Sequence, residues 1–202
     1  STYTGIFLVA LSTLMYEILL TRIFSVTMGY HFAFMAVSLA MFGLTAGAII
    51  VYIYPHKFPQ ERISTVLARQ SFYFSLATVA SFLLHIAIPF THGMNLAGIS
   101  VTVLTYTVIS IPFIFSGIVI SLILTRFPAA VNRLYAADLA GASLGCILVV
   151  IVLNVSGGPT GVFITALIPS AASLVFMGRQ FSATGFGKTV MAFLLIVAAF
   201  SV

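Results

Sequence analysis

Three charged side chains lie within long apolar segments of the sequence, where an ionised group is costly. They are Glu17, Arg22 and Asp138. An ionisable group at mid-membrane costs at least about 2.5–3.5 kcal/mol, so it usually faces a partner or a polar cavity. Glu17 could bind a cation or a proton, or it could form a structural pair between helices. Arg22 is rotated by about 140° from Glu17 on a helix, so we expect each to pair with another helix.

Asp138 lies about one helical turn inside another apolar segment. A carboxylate is favoured there by the partial positive charge of a helix N-terminus. Arg133 precedes Asp138, and Arg126 lies across the connecting loop, so we expect these arginines to neutralise it. Tyr135, between Arg133 and Asp138, is a further candidate polar residue of this segment.

Three of the four histidines, His31, His85 and His92, fall at the same side of the predicted membrane. With the nearby charges they could form a metal, haem or proton site. Pro89 and Gly93 interrupt any helix between His85 and His92. We therefore favour solvated or hydrogen-bonded histidines and predict no metal site, and we keep His31 and His85 as candidate polar residues.

The composition excludes a soluble domain. Of the 202 residues, 61% are hydrophobic and 5% are charged, and the mean hydropathy is +1.23. A soluble domain carries about 25% charged residues, and disorder requires low hydrophobicity with high charge. The 8 basic residues are scattered rather than clustered, so the net charge of +5 does not predict nucleic-acid binding.

Sequence motifs offer no catalytic centre. The chain contains no G-x-G-x-x-G or Walker A sequence for a nucleotide and no H-E-x-x-H metal motif. Its three carboxylates are not spaced for acid–base catalysis. Cys146 is the single cysteine, and within its apolar run it is predicted to be a small buried hydrophobe. We predict no cofactor in this chain.

Apolar segments predict an all-α, polytopic bundle of transmembrane helices, in one domain over residues 1–202. A helix needs about 20 apolar residues to cross the hydrocarbon core. Seven segments are predicted, approximately at 4–26, 32–54, 66–89, 99–124, 134–155, 160–177 and 188–202. The last is too short to cross, so we expect the natural polypeptide to continue beyond Val202, with room for an eighth span.

Basic residues predict the orientation of these segments, because cytoplasmic loops carry an excess of Lys and Arg. Seven of the eight fall on one side, at Lys57, Arg62, Arg69, Arg126, Arg133, Arg179 and Lys188. That side and the N-terminus are therefore predicted to be cytoplasmic, in a multi-pass protein of the cell membrane. A seventh span would leave the C-terminus outside, and an eighth would return it.

Small residues at intervals of four predict close packing of helices. Gly43 and Gly47 have this spacing in the second segment, and Ala137, Gly141 and Gly145 have it in the fifth. Such spacing lets two helix backbones approach closely in lipid. We favour packing within the chain, and an interface with another subunit is the alternative.

Two stretches carry the helix motifs of a known family. Tyr16, Glu17 and Arg22 form a YE-x-x-x-x-R pattern, and residues 133–145 read RLYAADLAGASLG. With these motifs the chain resembles the N-terminal membrane region of bacterial spermidine-synthase-like fusion proteins, whose second motif is RLYAAN-x-x-GA-x-x-G. Asp138 stands where that family often has Asn.

The resemblance implies a membrane module that precedes a cytoplasmic domain with the aminopropyltransferase fold. The nucleotide-binding and polyamine-binding residues of the family belong to that soluble domain, so none is assigned here. The partners implied are the lipid bilayer and either a cytoplasmic domain in the same chain or other membrane subunits.

Three functions remain open at this point. The first is a membrane module that anchors or serves a cytoplasmic transferase-like domain. The second is an accessory or scaffold subunit of a larger membrane complex, with small-residue stripes as subunit contacts. The third is a transporter of a polyamine or cation, in which Glu17 binds the cation or proton and Pro112 and Pro169 break helices at membrane depth.

Overall fold

A computed structural model of the chain describes residues 2–88, 96–178 and 185–200. Within these ranges the chain forms six α-helices, joined by loops and short 3₁₀ turns, and no β-strand. In chain order the helices are α1 (Thr2–Thr27), α2 (Ala33–Ile53), α3 (Ile63–Ala87), α4 (Leu96–Arg126), α5 (Val131–Met177) and α6 (Gly185–Phe200). The predicted all-α fold is confirmed.

Five helices of the described ranges, α1 to α5, are long and apolar enough to cross a membrane. The chain is therefore compatible with a multi-pass membrane protein. The number differs from the seven predicted spans for two reasons. The predicted segments 134–155 and 160–177 lie in one helix, α5. The last helix, α6, has 16 residues, fewer than the roughly 20 that a crossing needs.

Gly157 divides α5 into two arms, because its backbone angles are not helical (φ 75°, ψ 177°). A positive φ is accessible to glycine and unfavourable for residues with a Cβ atom. In the first arm, Gly141 lies against the backbone of Phe7 in α1. A Cβ atom added to Gly145 would lie 2.6 Å from the carbonyl oxygen of Leu11. Residue numbers rise together along the two helices, so the first arm runs parallel to α1.

The second arm of α5 packs along α1 in the opposite direction. Near the turn, Gly161 lies beside the side chain of Leu19. Further from the turn, the Ser12 hydroxyl donates a 3.0 Å hydrogen bond to the carbonyl oxygen of Thr165. Residue numbers therefore rise along this arm as they fall along α1. The chain reverses direction within α5, and α1 contacts both antiparallel arms.

Helices α2 and α4 meet along a glycine interface, formed by Gly43, Gly47 and Gly117. A Cβ atom added to Gly43 would lie 2.7 Å from the carbonyl oxygen of Ser110. One added to Gly47 would lie 2.8 Å from the backbone nitrogen of Ile118. No side chain fits between the two backbones, which gain van der Waals contact from this close approach.

Helix α3 carries hydroxyl groups on its buried face, at Ser71, Ser75, Thr78 and Ser81. The Ser75 hydroxyl donates to the carbonyl oxygen of Ala166 in the second arm of α5. The Ser170 hydroxyl donates to Ser75 at 2.7 Å, and the hydroxyls of Ser81 and Tyr16 lie 2.8 Å apart. We call the contacts of Ser75 and Ser81 with these partners the hydroxyl interface. Burying the hydroxyls of Ser75, Thr78 and Ser81 is tolerated because they are hydrogen-bonded. The Ser71 hydroxyl is buried without a hydrogen-bond partner in the described structure.

The bundle has two ends, named here after the predicted orientation. The outer end contains the last turns of α1 and α3 and the turn at Gly157, and the inner end contains the loops at 54–62 and 127–130. At the inner end the Arg126 guanidinium donates hydrogen bonds to the carbonyl oxygens of Phe58 and Pro55, at 3.2 and 3.4 Å. These bonds connect the end of α4 to the loop before α3.

Candidate functional site

The candidate polar residues are spread along the bundle and do not form one site. They lie towards the outer end (Arg22 and His85), in the middle of α1 (Tyr16 and Glu17) and near the inner end (Arg133, Tyr135 and Asp138). Gly141 packs against Phe7, and Arg22 lies about 22 Å further along α1 at about 1.5 Å per residue. Asp138 and Arg22 therefore cannot act on one small ligand. The side chain of His31, and all of His92 and Arg179, lie outside the described residues.

A cavity of about 520 Å³ opens at the outer end, between α1, α3 and the turn of α5; we call it the outer cavity. Its lining contains Arg22, Ile23, Ser25, Val26, Thr27, Phe82, Ile86, Leu153, Asn154, Gly158 and Pro159. Arg22 is the one charged residue among the lining residues that the structure describes. Its side chain is exposed and makes no ion pair or hydrogen bond with another described residue.

His85 lies behind the wall of the outer cavity and is buried. Its Nε2 atom is 3.3 Å from the hydroxyl of Thr27, a residue of the cavity lining. Its ring packs against that of Phe24 at an angle of 51°, with 5.4 Å between ring centroids. Nδ1 is buried and has no hydrogen-bond partner among the described residues. His85 therefore positions the last turn of α1, where Thr27 ends the helix.

Tyr16 has a structural environment. Its side chain is fully buried, and its ring stacks on Phe113 of α4 with 5.3 Å between centroids. Its hydroxyl is paired with Ser81 of α3. A buried tyrosine usually has such a partner for its hydroxyl. Tyr16 thus connects three helices and offers no free polar group to a ligand.

Glu17 is half-buried and has no hydrogen bond or ion pair with the described part of the chain. It follows Thr13 by one turn, and the Thr13 hydroxyl meets Ser116 of α4. On the helix, Glu17 is rotated about 40° from Thr13 towards Phe7, which packs on the first arm of α5. The carboxyl therefore faces the gap between α4 and the first arm of α5.

Asp138 borders a second cavity, of about 460 Å³, which we call the inner cleft. The other lining residues come from α2 and α4, at Leu44, Ala48, Gly117, Ile120, Ser121, Leu124 and Thr125. The Oδ1 atom of Asp138 is buried without a hydrogen-bond partner in the described structure. An unpartnered buried acceptor is destabilising, so this carboxyl favours a ligand that donates a proton or carries positive charge.

The expected neutralisation of Asp138 by arginines is not seen. Arg126 turns away and donates to the carbonyl oxygens of the loop before α3. Arg133 is exposed, as is Tyr135, and neither forms an ion pair or hydrogen bond with Asp138 within the described ranges. The loop carbonyls can accept from Arg126 because a carbonyl oxygen has two lone pairs, and that of Pro55 uses one of them for the backbone N–H of Phe58.

A groove of about 240 Å³ at the inner end gathers three basic side chains; we call it the inner groove. Its lining is Lys57, Phe58, Pro59, Arg62, Thr65, Val66, Arg69 and Gln70, without an acidic residue. The Lys57 ammonium lies 4.7 Å from the ring centroid of Tyr54. Sequence reasoning used these bases for orientation and missed that they share a site. The signal was the closeness in sequence of three basic residues, with Lys57 and Arg62 in the loop before α3 and Arg69 two turns into that helix.

The sequence also contains a catalytic pattern that sequence reasoning missed. Gly141, Ser143 and Gly145 match G-x-S-x-G. In hydrolases this pattern forms a strained turn between a strand and a helix. Here it lies inside α5, and the Ser143 hydroxyl donates to the carbonyl oxygen of Leu139 at 2.7 Å. The serine is therefore an ordinary helix residue, and the glycines serve contact with α1.

No three His, Cys, Asp or Glu side chains of the described ranges are close enough to hold a metal ion.

Cys146 is exposed on α5, so its predicted burial is wrong. Its neighbour Gly145 occupies the face towards α1, and Ala137 is half-buried two turns earlier. A span with apolar residues on every face gives no sequence signal of which face points outward.

Comparison with protein-family models, curated proteins and solved structures finds no match to this chain.

Proposed function

We propose that this chain is the membrane-embedded module of a spermidine-synthase-like protein, and that it anchors or serves a cytoplasmic transferase-like domain. The motifs at Tyr16–Arg22 and at 133–145 support the family. The inner groove is the observation that carries the role in docking. The proposed location is the cell membrane, with a cytoplasmic N-terminus.

The inner groove suits a soluble partner by its charge. Lys57, Arg62 and Arg69 line it together, and the acidic side chain next in sequence, Glu61, does not. An acidic surface on a cytoplasmic domain would be complementary to this groove. Charge complementarity of this kind steers association and fixes the orientation of the partners.

We further propose that each arm of α5 crosses the membrane once, so that α6 begins a seventh crossing. The arms cover residues 131–156 and 158–177, and both are about as long as the 20 residues that a crossing needs. Seven crossings from a cytoplasmic N-terminus end outside. A cytoplasmic domain in the same chain therefore requires an eighth crossing after Val202.

Site-directed labelling tests this topology. In a Cys146→Ser background, single cysteines replace Ala129, exposed on the inner loop outside the inner groove, or Ser156 at the outer end. A membrane-impermeant maleimide applied to intact cells should label the Ser156→Cys variant and leave Ala129→Cys unlabelled until the cells are permeabilised. The reverse pattern would contradict the orientation, and labelling of neither after permeabilisation would contradict exposure of both loops.

The docking role is tested in the natural protein. Its intact mass should lie well above 21.6 kDa, and peptides beyond Val202 should contain a nucleotide-binding turn. Cross-links from Thr65→Cys in the inner groove should reach that domain. They should weaken in the combined Lys57→Gln, Arg62→Gln, Arg69→Gln variant and at high salt, since exposed charges are screened.

The control for docking is Lys188→Gln, which removes one positive charge from an exposed side chain outside the groove. Its cross-links should match those of the wild type. Two results would overturn the proposal. One is a natural protein with a mass near 21.6 kDa and no transferase-like partner. The other is cross-linking that the triple variant leaves unchanged.

Transport of a cation or polyamine is the second candidate, because two half-buried carboxyls face the gap between α4 and the first arm of α5. Glu17 and Asp138 are those groups, and neither has a partner in the described structure. Flux of labelled polyamine into proteoliposomes should then fall in Glu17→Gln and persist in Glu61→Gln, whose side chain is exposed on the inner loop. Unchanged flux in Glu17→Gln would rule out a transport role for that carboxyl.

A further inference from the structure

We propose that the outer cavity binds an acyl chain that carries an anionic head group, with the head on Arg22 and the chain against α3 and α5. This site is independent of the proposed function, since it lies at the opposite end of the bundle from the inner groove. The argument rests on the size of the cavity, the distribution of charge in it and its depth.

The cavity has the size and lining of a ligand site. Its volume of about 520 Å³ falls within the range of roughly 300–1,000 Å³ that is usual for small-molecule pockets. Such pockets are mainly apolar, with a few polar groups that fix orientation. Phe82, Ile86 and Leu153 supply apolar wall, while Asn154 and Ser25 supply polar groups.

The charge of the described lining has one sign. Arg22 is the one charged residue among the described lining residues, and no carboxylate in the described ranges pairs with it. A guanidinium presents a planar fork of donors that matches a carboxylate or a phosphate with two parallel hydrogen bonds. An anionic group is therefore the chemical complement of this site, and a cation is disfavoured.

The depth of Arg22 places a head group among the apolar lining. Arg22 lies five residues before the end of α1, about 7.5 Å below it. Phe82 likewise lies five residues before the end of α3 and Ile86 lies one residue before it, so α3 lines the cavity from its rim to about the depth of Arg22. A head group at Arg22 thus has apolar wall beside it, from α3 and from Leu153 of α5, for its chain.

The turn of α5 keeps this site open. The backbone of Gly157 has the positive φ that reverses the chain, and Gly158, next to it, has no side chain to occupy the cavity. A Cβ atom at Gly158 would find only Ile23 nearby, at 3.7 Å. Thr27 is held in place by its hydrogen bond to the Ile23 carbonyl oxygen, at 2.9 Å, so the rim formed by α1 is fixed.

The test uses the natural protein in nanodiscs of zwitterionic phosphatidylcholine, with three probes of equal chain length. Palmitate and hexadecyl phosphate carry anionic heads, and hexadecanol carries none. Binding is measured by competition against a fluorescent fatty acid. At least one anionic probe should bind about tenfold more tightly than hexadecanol, because hydrogen bonds to charged groups are the stronger ones. The tighter anionic probe identifies the head group as carboxylate or phosphate.

The decisive variant is Arg22→Gln, which keeps a long polar side chain and removes the charge. Its affinity for the anionic probe should fall about tenfold or more, while hexadecanol binding stays unchanged. Lys188→Gln, the matched loss of charge outside the cavity, should bind as the wild type does. Ile86→Trp should weaken all three probes by filling the apolar part of the cavity.

Two results would overturn the site. One is equal binding of hexadecanol and both anionic probes to the wild type. The other is anionic binding that Arg22→Gln leaves intact. Arg22 is exposed, so the variant should keep the wild-type melting temperature and elution volume. If it did not, Arg22→Lys would replace it, and affinity below the wild type but above that for hexadecanol would be required.

Discussion

The glycine interface between α2 and α4 and the hydroxyl interface of α3 hold helices together by different means. At the first, backbones touch because Gly43, Gly47 and Gly117 have no side chains. At the second, hydroxyls such as those of Ser75 and Ser81 form hydrogen bonds between helices. The first is intolerant of added atoms, and the second can lose an atom at modest cost.

The two interfaces respond differently to substitution because the surrounding solvent is lipid. In lipid there is no hydrophobic drive to bring apolar helices together, so packing and interhelical hydrogen bonds provide the association. Close packing is a property of the whole interface, since one added side chain separates both backbones along several turns. A hydrogen bond is local, and its loss leaves the surrounding contacts in place.

The largest effect is expected for Gly47→Leu in the glycine interface. The new side chain would meet the backbone of α4, where even a Cβ atom would lie 2.8 Å from the Ile118 nitrogen. Overpacking commonly costs about 1–3 kcal/mol and more where the backbone must move, so we expect little folded protein. Fluorescence-detected size exclusion checks this result. Thr45→Leu, on an exposed position of the same helix, is the control and should fold. Equal amounts of folded protein from the two variants would show that the glycine interface tolerates added volume.

A smaller loss is expected for Tyr16→Phe in the hydroxyl interface. The variant keeps the ring stacked on Phe113 and removes the hydrogen bond to Ser81. Interhelical hydrogen bonds in membranes average about 0.6 kcal/mol and reach about 1.7 kcal/mol. A double-mutant cycle with Ser81→Ala, read by reversible unfolding in mixed micelles, measures the coupling. A coupling energy above the cost of overpacking at Gly47 would reverse the ranking of the two interfaces.

Asp138→Leu, at a position outside both interfaces, should raise the free energy of unfolding, because it removes a buried acceptor without a partner. The Oδ1 atom of Asp138 is buried without a described partner, and such an atom costs about 1–3 kcal/mol. We expect a gain of about 1 kcal/mol in the free energy of unfolding. Asn132→Leu, an exposed neighbour, is the matched control and should show no gain. Destabilisation by Asp138→Leu would mean that the carboxyl has a partner in the membrane.

The smallest effect is expected for Cys146→Ala, which forms a matched pair with Gly145→Ala. Cys146 is exposed, and such substitutions stay within about 0.5 kcal/mol. Gly145→Ala adds a Cβ atom 2.6 Å from the Leu11 carbonyl oxygen, so it should lower the melting temperature clearly. Differential scanning fluorimetry with a thiol-independent probe compares them. Similar melting temperatures would show that the contact of α1 with the first arm tolerates added volume.

Much of the helical framework could be predicted from the sequence. The apolar segments, the turn at 156–159 and the spacing of Gly43 and Gly47 are local features, because one helix or turn contains each of them. The structure adds their partners, such as α4 for the glycines of α2. The reversal at Gly157 is local too, since a single residue with positive φ separates the two arms of α5.

The candidate sites could be predicted less well, because their residues come from distant parts of the chain. Arg22 is conspicuous in the sequence, whereas Ile86 and Asn154, which complete the outer cavity, are unremarkable there. Asp138 was expected to pair with Arg126, which instead binds the carbonyl oxygen of Phe58. Arg126 thus binds backbone carbonyl groups that the fold places within its reach, and not the carboxyl that the sequence suggested.

The sequence by itself determined that this is an apolar, all-helical protein of the membrane type. Its low charge content leaves no polar surface for water, and its segment lengths match a bilayer. Only the tertiary structure decided which helices meet, which carboxyls stay unpartnered and where cavities open. The reason is that apolar residues cover every face of these helices, so hydrophobic periodicity no longer marks the buried side. Shape and hydrogen bonding then choose the partners, and both depend on residues far apart in the chain.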